Sequence, residues 1–250
     1  MSGAEAPPRI ALDLTHIVYP DESLWSWFLA LSSLTPILLM PAYAALAVQT
    51  REYLVLVMWT GQLASEAFNY VLKHIIKEDR PYDEVGQSYG FPSSHSQYMG
   101  FFWVFLTCHL YFRHRFASTG NAVLDQAFRL LVYVALAFVS GAVAYSRYYL
   151  MYHSARQVVW GFSIGVALGT ALYALAVHIP GRNPNSTLGR FKRFLLANPV
   201  STWCQLRDGW AIWPDAGRES EWLRWRAEWD AMRAREDAAT QAREVERKNM

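Results

Sequence analysis

Five apolar stretches, each near the length that crosses a bilayer, fill most of residues 20–181 and leave few folds open. They run over Ser23–Thr50, Tyr53–Ile76, His95–Phe112, Ala127–Tyr145 and Gln157–Pro180. The first is free of charge and carries Pro36 and Pro41, which predict kinks. The second is interrupted by Glu66, Asn69, Lys73 and His74, and the fourth carries only Arg129, near one end. Lipid offers backbone groups no hydrogen-bond partner, so segments of this length must be helices. The expected fold is all-α, a polytopic membrane bundle of about five transmembrane helices.

Charge divides the chain. Residues 1–180 hold 10 Lys/Arg and 11 Asp/Glu, whereas the last 70 residues hold 13 and 10. That pattern excludes an ordinary soluble enzyme, a disordered chain and a basic nucleic-acid binder. Three parts are expected: a short N-terminal segment (1–19), a membrane domain (20–181) and a tail (182–250). The tail reads as a basic amphipathic segment at Leu188–Leu196, a stretch with Trp203, Trp210 and Trp213, and a charged helix from about Ser220. Trp and Arg/Lys favour the headgroup region, so the expectation is an interfacial collar followed by a solvated helix. The N-terminus lacks the charged start and short apolar core of a cleavable signal peptide, and Cys108 and Cys204 cannot make a disulfide framework.

An odd number of spans places the termini on opposite sides. Loop 50–52, loop 113–126 and the tail then share a side with Arg51, Arg113, Arg115, Arg182, Arg190, Lys192 and Arg193. The positive-inside rule puts that side in the cytosol and the opposite side in a lumen or outside the cell.

Three clusters fall on that opposite side. They are Lys73-His-Ile-Ile-Lys-Glu-Asp-Arg80-Pro81, Pro92-Ser93-Ser94-His95, and Ser146-Arg147 followed by His153 and Gln157. If the helix continues past Lys73, Arg80 projects from the same face two turns on. Arg and Lys together suit a group with several anionic oxygens. A helix opening at Ser93–His95 would add free N–H groups and a positive dipole end, so the expected ligand is phosphate. Two histidines beside it allow one to attack phosphorus and the other to protonate the leaving oxygen. Gln157 lies four residues after His153, where its amide oxygen can accept Nδ1–H and leave Nε2 free.

The patterns Lys-x6-Arg-Pro, Pro-Ser-x-His and Ser-Arg-x5-His resemble the three signatures of the type 2 phosphatidic acid phosphatase superfamily. That resemblance implies a metal-independent phosphatase needing no cofactor. It implies that Lys73, Arg80, Ser93, Ser94 and Arg147 hold the phosphate, that His95 is the general acid, and that His153 is the nucleophile, with Gln157 behind it. The chain departs from the superfamily in two places. Ser94 stands where glycine is common, which leaves Ser93 as the motif serine, and Gln157 stands where Asp is usual.

The wider run Gly-Phe-Pro-Ser-Ser-His-Ser-Gln-Tyr-Met, from Gly90 to Met99, resembles a branch acting on polyprenyl diphosphates. The resemblance reaches from about Leu12 to Asp208. It implies hydrolysis of dolichyl diphosphate to dolichyl phosphate and inorganic phosphate at the lumenal face of the endoplasmic reticulum, recycling the carrier lipid of protein glycosylation. A phosphatase of another lipid phosphate and a catalytically silent scaffold are the alternatives. An anhydride expels a phosphate monoester, whose second pKa is about 6, more easily than an alkoxide. Gln157→Asp is therefore expected to change little on a diphosphate.

Four further features carry expectations. Glu66 and Asn69 lie inside a span, and Glu66 is expected to make a structural pairing with Lys73 or a group on the fourth span. Gly161, Gly165 and Gly169 predict close helix packing within the bundle. Tyr145, Tyr148, Tyr149 and Tyr152 read as interfacial residues that can also line a path for lipid. Asn185-Ser186-Thr187 is a glycosylation sequon expected to stay unmodified if the tail is cytosolic, and Asp79, Asp83 and Glu84 are expected to hold no metal.

Overall fold

A computed structural model describes residues 23–81 and 89–249, together with Ile17 and Asp21. Among these the regular elements are helical, and one isolated parallel bridge joins Glu52 to Arg207. Helices α1 (Leu24–Ser32) and α2 (Thr35–Thr50) divide the first apolar stretch. The bend, 40°, falls at Ser33–Leu34 rather than at the prolines. Pro36 lies in the first turn of α2, where its missing N–H costs nothing, and Pro41 is carried inside the helix.

Helices α3 (Tyr53–Ile76), α4 (Ser94–Phe112), α5 (Ala122–Tyr149) and α6 (Ala155–Tyr173) follow where four further segments are expected. Helix α6 continues through a π-helical turn, Ala174–His178, into α7 (Ile179–Arg182). By length and apolarity α5 and the α6–α7 run can each cross a membrane, and α1 with α2 makes a third if the pair is one span. Helices α3 and α4 miss that standard because they carry the polar side chains of the bundle interior, among them Gln62, Ser65, Asn69, Gln97 and His109. The fold is an all-α membrane helix bundle.

The tail is more structured than a collar. Helices α8 (Thr187–Ala197), α9 (Pro199–Trp203) and α10 (Gly209–Ile212) follow, and α8 and α10 fold back onto the start of α3 and the end of α4. The backbone N–H of Tyr53 donates to the Arg207 carbonyl at 2.8 Å, and that of Arg207 to the Arg51 carbonyl at 3.0 Å. The indole N–H of Trp210 faces His114 at 3.3 Å. Trp203, by contrast, is exposed, and so is almost all of α11 (Arg218–Lys248). Cys108 and Cys204 are free.

The tightest seam in the bundle joins α4 to α6, and it is made of glycine. A Cβ on Gly161 would come within 2.5 Å of the Ser93 carbonyl oxygen; one on Gly165 would meet the carbonyl of Gln97, and one on Gly169 that of Phe101 at 2.9 Å. Gly100 does the same from α4 against the carbonyl of Phe162. Helices this close bring their first turns side by side. The three glycines of α6 thus pack within the bundle, as expected.

Candidate active site

Each cluster becomes the end of an element. Helix α3 stops at Ile76 because Lys77 turns left-handed (φ 52°), its N–H returning to the Lys73 carbonyl at 3.0 Å. The expectation that Arg80 continues the helical face of Lys73 is therefore corrected. Lys73 lies in the last turn of α3, while Arg80 sits half-buried on the loop that follows. That turn also carries Glu78 and Asp79 across to α6.

Helix α4 begins at Ser94, with Ser93 as an N-cap whose hydroxyl makes no capping hydrogen bond. Its first N–H groups therefore have no partner within the helix. Ser93 is fully buried, and its hydroxyl accepts from Ser96 at 3.0 Å. Ser94 and His95, in the first turn, are half-buried. Behind them a polar network ties α4 to α3. Asn69 donates to the Gln97 amide oxygen at 2.8 Å, and Gln97 donates to the Ser65 carbonyl at 2.7 Å and hydroxyl at 2.9 Å. Asn69 is thus a structural link between α3 and α4. Glu66 remains within electrostatic reach of Lys73.

The third cluster is a folded loop between α5 and α6. Arg147, 6% exposed, ends α5 with its guanidinium carbon 3.8 Å from the Tyr152 ring centre. Met151 is left-handed (φ 60°), and the His153 N–H returns to the Arg147 carbonyl at 3.0 Å. Ser154 then caps α6, forming a capping box with Gln157. His153 is 3% exposed and Gln157 1%.

Together these elements surround one spot. Arg147, Arg80 and Lys73 all act on His153, and the same three act on His95 together with His153. Burial first, then the three cations, pull the His153 imidazole down to about 3, so it is neutral at any ordinary pH. Its Nδ1 lies 3.2 Å from the Gln157 amide oxygen. Every site residue expected from sequence thus lies at this end, with Ser93 fully buried and Ser94 half-buried. A groove of about 480 Å³ leads from it, lined by Pro81, Tyr148, Tyr149, Met151, His153, Ser154 and Ala155. Among the described residues no group of His, Cys, Asp and Glu could hold a metal ion; Asp83 and Glu84 lie outside them.

One residue was missed. Glu78 accepts from the Gln157 amide nitrogen at 2.9 Å and pairs with Arg156 at 2.6 Å. The same amide nitrogen donates to the Asp79 carbonyl at 2.9 Å. Nothing in the spacing relates position 78 to position 157, and the contact depends on the turn at Lys77. It also revises the expectation for Gln157→Asp, since a carboxylate has no hydrogen to give Glu78 or Asp79.

Comparison with known proteins identifies the family. The sequence profile of the PAP2 superfamily matches residues 53–179, from the start of α3 to the beginning of α7. Dolichyldiphosphatase 1 of Homo sapiens is 37% identical over 200 residues, covering 78% of this chain and 80% of that protein. The dolichyldiphosphatase of Saccharomyces cerevisiae is 36% identical over 181 residues (69% and 72%), and dolichyldiphosphatase 1 of Dictyostelium discoideum 38% over 172 (67% and 72%). No solved structure matches significantly. With its three signatures gathered at one end of the matched helices, the chain belongs to the PAP2 superfamily and, within it, to the dolichyldiphosphatase family.

Proposed function

We propose that the chain hydrolyses dolichyl diphosphate to dolichyl phosphate and inorganic phosphate, through a phosphohistidine on His153. The observation that carries this reading is a buried imidazole, hydrogen-bonded at Nδ1 to the Gln157 amide oxygen and within electrostatic reach of Arg147, Arg80 and Lys73. The names of the family's members supply the substrate.

Lys73, Arg80, Arg147 and the N–H groups at the start of α4 hold the terminal phosphate. His153 Nε2 attacks its phosphorus as the bond to the bridging oxygen breaks. The electron pair leaves with dolichyl phosphate; His95, charged once the bound diphosphate offsets the three cations that act on it, gives that oxygen a proton. Water then attacks the phosphohistidine and loses its proton to His95. The P–N bond breaks, its electron pair returns to Nε2, and inorganic phosphate departs. In this reading Ser94, first in α4, meets a phosphate oxygen. The tyrosine-lined groove gives the isoprenoid a path from the bilayer.

In this reading α1–α2 and α3–α6 make five crossings, the site faces the lumen of the endoplasmic reticulum, and the tail is cytosolic. The cations at the tail end support that orientation. Asn185, exposed between α7 and α8, then stays unglycosylated.

The test is phosphate release by purified protein in detergent with EDTA, from dolichyl diphosphate, dolichyl phosphate and phosphatidate, with wild type and His153→Ala. Release from the diphosphate alone, abolished in the variant, is the expected result. Preference for phosphatidate would overturn the substrate, and full activity in His153→Ala would overturn the nucleophile.

A further inference from the structure

We propose that Glu78 is a positioning residue for the reaction, fixing the Gln157 amide and placing a negative charge behind it, so that an amide serves where the superfamily usually has a carboxylate. This rests on the reading of His153 as nucleophile.

The argument begins with the amide, whose two ends are told apart by their partners. Its nitrogen lies 2.9 Å from the Glu78 carboxylate and 2.9 Å from the Asp79 carbonyl, both acceptors. Its oxygen lies 3.2 Å from the Ser154 N–H, a donor. Turning the amide over would set oxygen against two acceptors and NH₂ against a donor. The orientation is thus fixed by Glu78 together with the Asp79 carbonyl and the Ser154 N–H, Glu78 being the one charged partner.

It follows that the group facing His153 Nδ1, at 3.2 Å, is an acceptor only. Nδ1 must carry the hydrogen, and Nε2 keeps its lone pair for phosphorus. Without Glu78 the amide is held by the Asp79 carbonyl and Ser154 alone. When phosphorus bonds to Nε2 the ring becomes cationic, and the polarised amide passes the influence of the Glu78 charge to it. Arg156 holds the second Glu78 oxygen at 2.6 Å and steadies the carboxylate from the exposed side.

The surroundings leave room for this arrangement and for little else. A Cβ on Gly90 would lie 2.7 Å from the Gln157 amide nitrogen and 2.8 Å from the Asp79 carbonyl oxygen. The Gly90 N–H binds the Glu78 carbonyl at 2.7 Å, and the Ser93 N–H binds the Gln157 carbonyl at 3.2 Å. Glu78 is thereby tied to the segment that leads into α4 and, through Gln157, to the first turn of α6.

The test follows rapid-quench labelling of His153 by dolichyl diphosphate radiolabelled in its terminal phosphate. Glu78→Ala should slow labelling roughly 10–100-fold, the range for residues that orient a working histidine, with KM within about twofold of wild type. Gln157→Glu alone should be impaired as well, because it sets two carboxylates face to face. Adding Glu78→Gln to it restores a donor–acceptor pair with the ends exchanged, and labelling should recover by about tenfold or more if the coupling is about 1.4 kcal/mol. That recovery is not expected of a residue with a merely structural role, and it guards against a Glu78→Ala protein that fails to fold. Wild-type labelling in Glu78→Ala, or a double variant no better than Gln157→Glu, would overturn Glu78 alone. Phosphate release by wild type with no label on His153 would overturn the nucleophile and the role of Glu78 with it.

Discussion

Where the tail docks, the buried carboxylates have cationic partners. Glu52, its side chain 3% exposed, accepts from Arg207 at 2.7 Å and from the Gly209 N–H at 2.9 Å. Asp208 is held by Lys192, with Arg113 at 3.9 Å. At the opposite end of the same helices Lys73 and Arg147 make no ion pair among the described residues, although Arg147 is buried and stacked on Tyr152. Burying a charge costs several kcal/mol unless geometry repays it. Paired charge at the tail end is structure; Lys73 and Arg147 at the other end, which make no ion pair among the described residues, fit the anionic substrate proposed above.

The largest effect should come from Arg147. Arg147→Met keeps an apolar stem for Tyr152 and removes the charge. Phosphate release should fall by about 10³-fold, the upper range for losing one group that stabilises a developing charge. The melting temperature should hold or rise, because an uncompensated buried cation is gone. An active enzyme with a lowered melting temperature would reverse the comparison.

Asp208→Asn asks the converse at the tail end. It strips the partner from Lys192 and should cost about 3 kcal/mol of stability, with kcat within about twofold of wild type at temperatures where the protein stays folded. Thermal unfolding in detergent beside a phosphate-release assay checks both. A large loss of kcat in the folded variant would mean that the two ends are coupled.

What was legible in the sequence follows the same division. The helices could be read because apolar length is local information, and the site could be read because three short signatures each carry their own spacing. The docking of Glu52 on Arg207 and of Glu78 on Gln157 could not, since each joins residues far apart in sequence through a turn. Lys77 in the left-handed region gives no signal, being neither glycine nor asparagine. The same turn explains why Arg80 leaves the helical face expected for it. The stretch from Leu188 to Trp213 read as a collar because a basic, Trp-rich tail looks alike whether it lies on lipid or docks on protein.

The α4–α6 seam provides a smaller effect with an internal control. Gly161→Ala sets a Cβ within 2.5 Å of the Ser93 carbonyl oxygen and 3.1 Å of the Ser93 nitrogen, so the backbone that opens α4 must move. Overpacking of this kind costs about 1–3 kcal/mol, and here it displaces Ser94 and His95 from His153 as well. Gly141→Ala on α5 meets nothing within 4 Å and should be neutral or stabilising by about 0.5–1 kcal/mol. Equal behaviour of the two variants in melting and phosphate release would break the link between the seam and the site.

The smallest effect is on pH dependence, and its sign is set by His153. Burial and the charges of Arg147 on α5, Arg80 on the loop after α3 and Lys73 on α3 lower the imidazole from 6.5 to about 3, with the Gln157 contact opposing them. The unfolded chain binds this proton below about 6.5, whereas the folded chain does not until about 3. Above pH 6.5 the group is neutral in both states and contributes no slope. As pH falls from about 6.5 toward 3, stability should drop by at most about 1.4 kcal/mol per pH unit on its account. The difference in melting temperature between wild type and His153→Gln, scanned from pH 7.5 to 5, isolates this contribution: the wild type should fall more steeply. Parallel curves would mean that the imidazole is not held neutral by the cations around it, and would remove the electrostatic contrast between the two ends of the bundle.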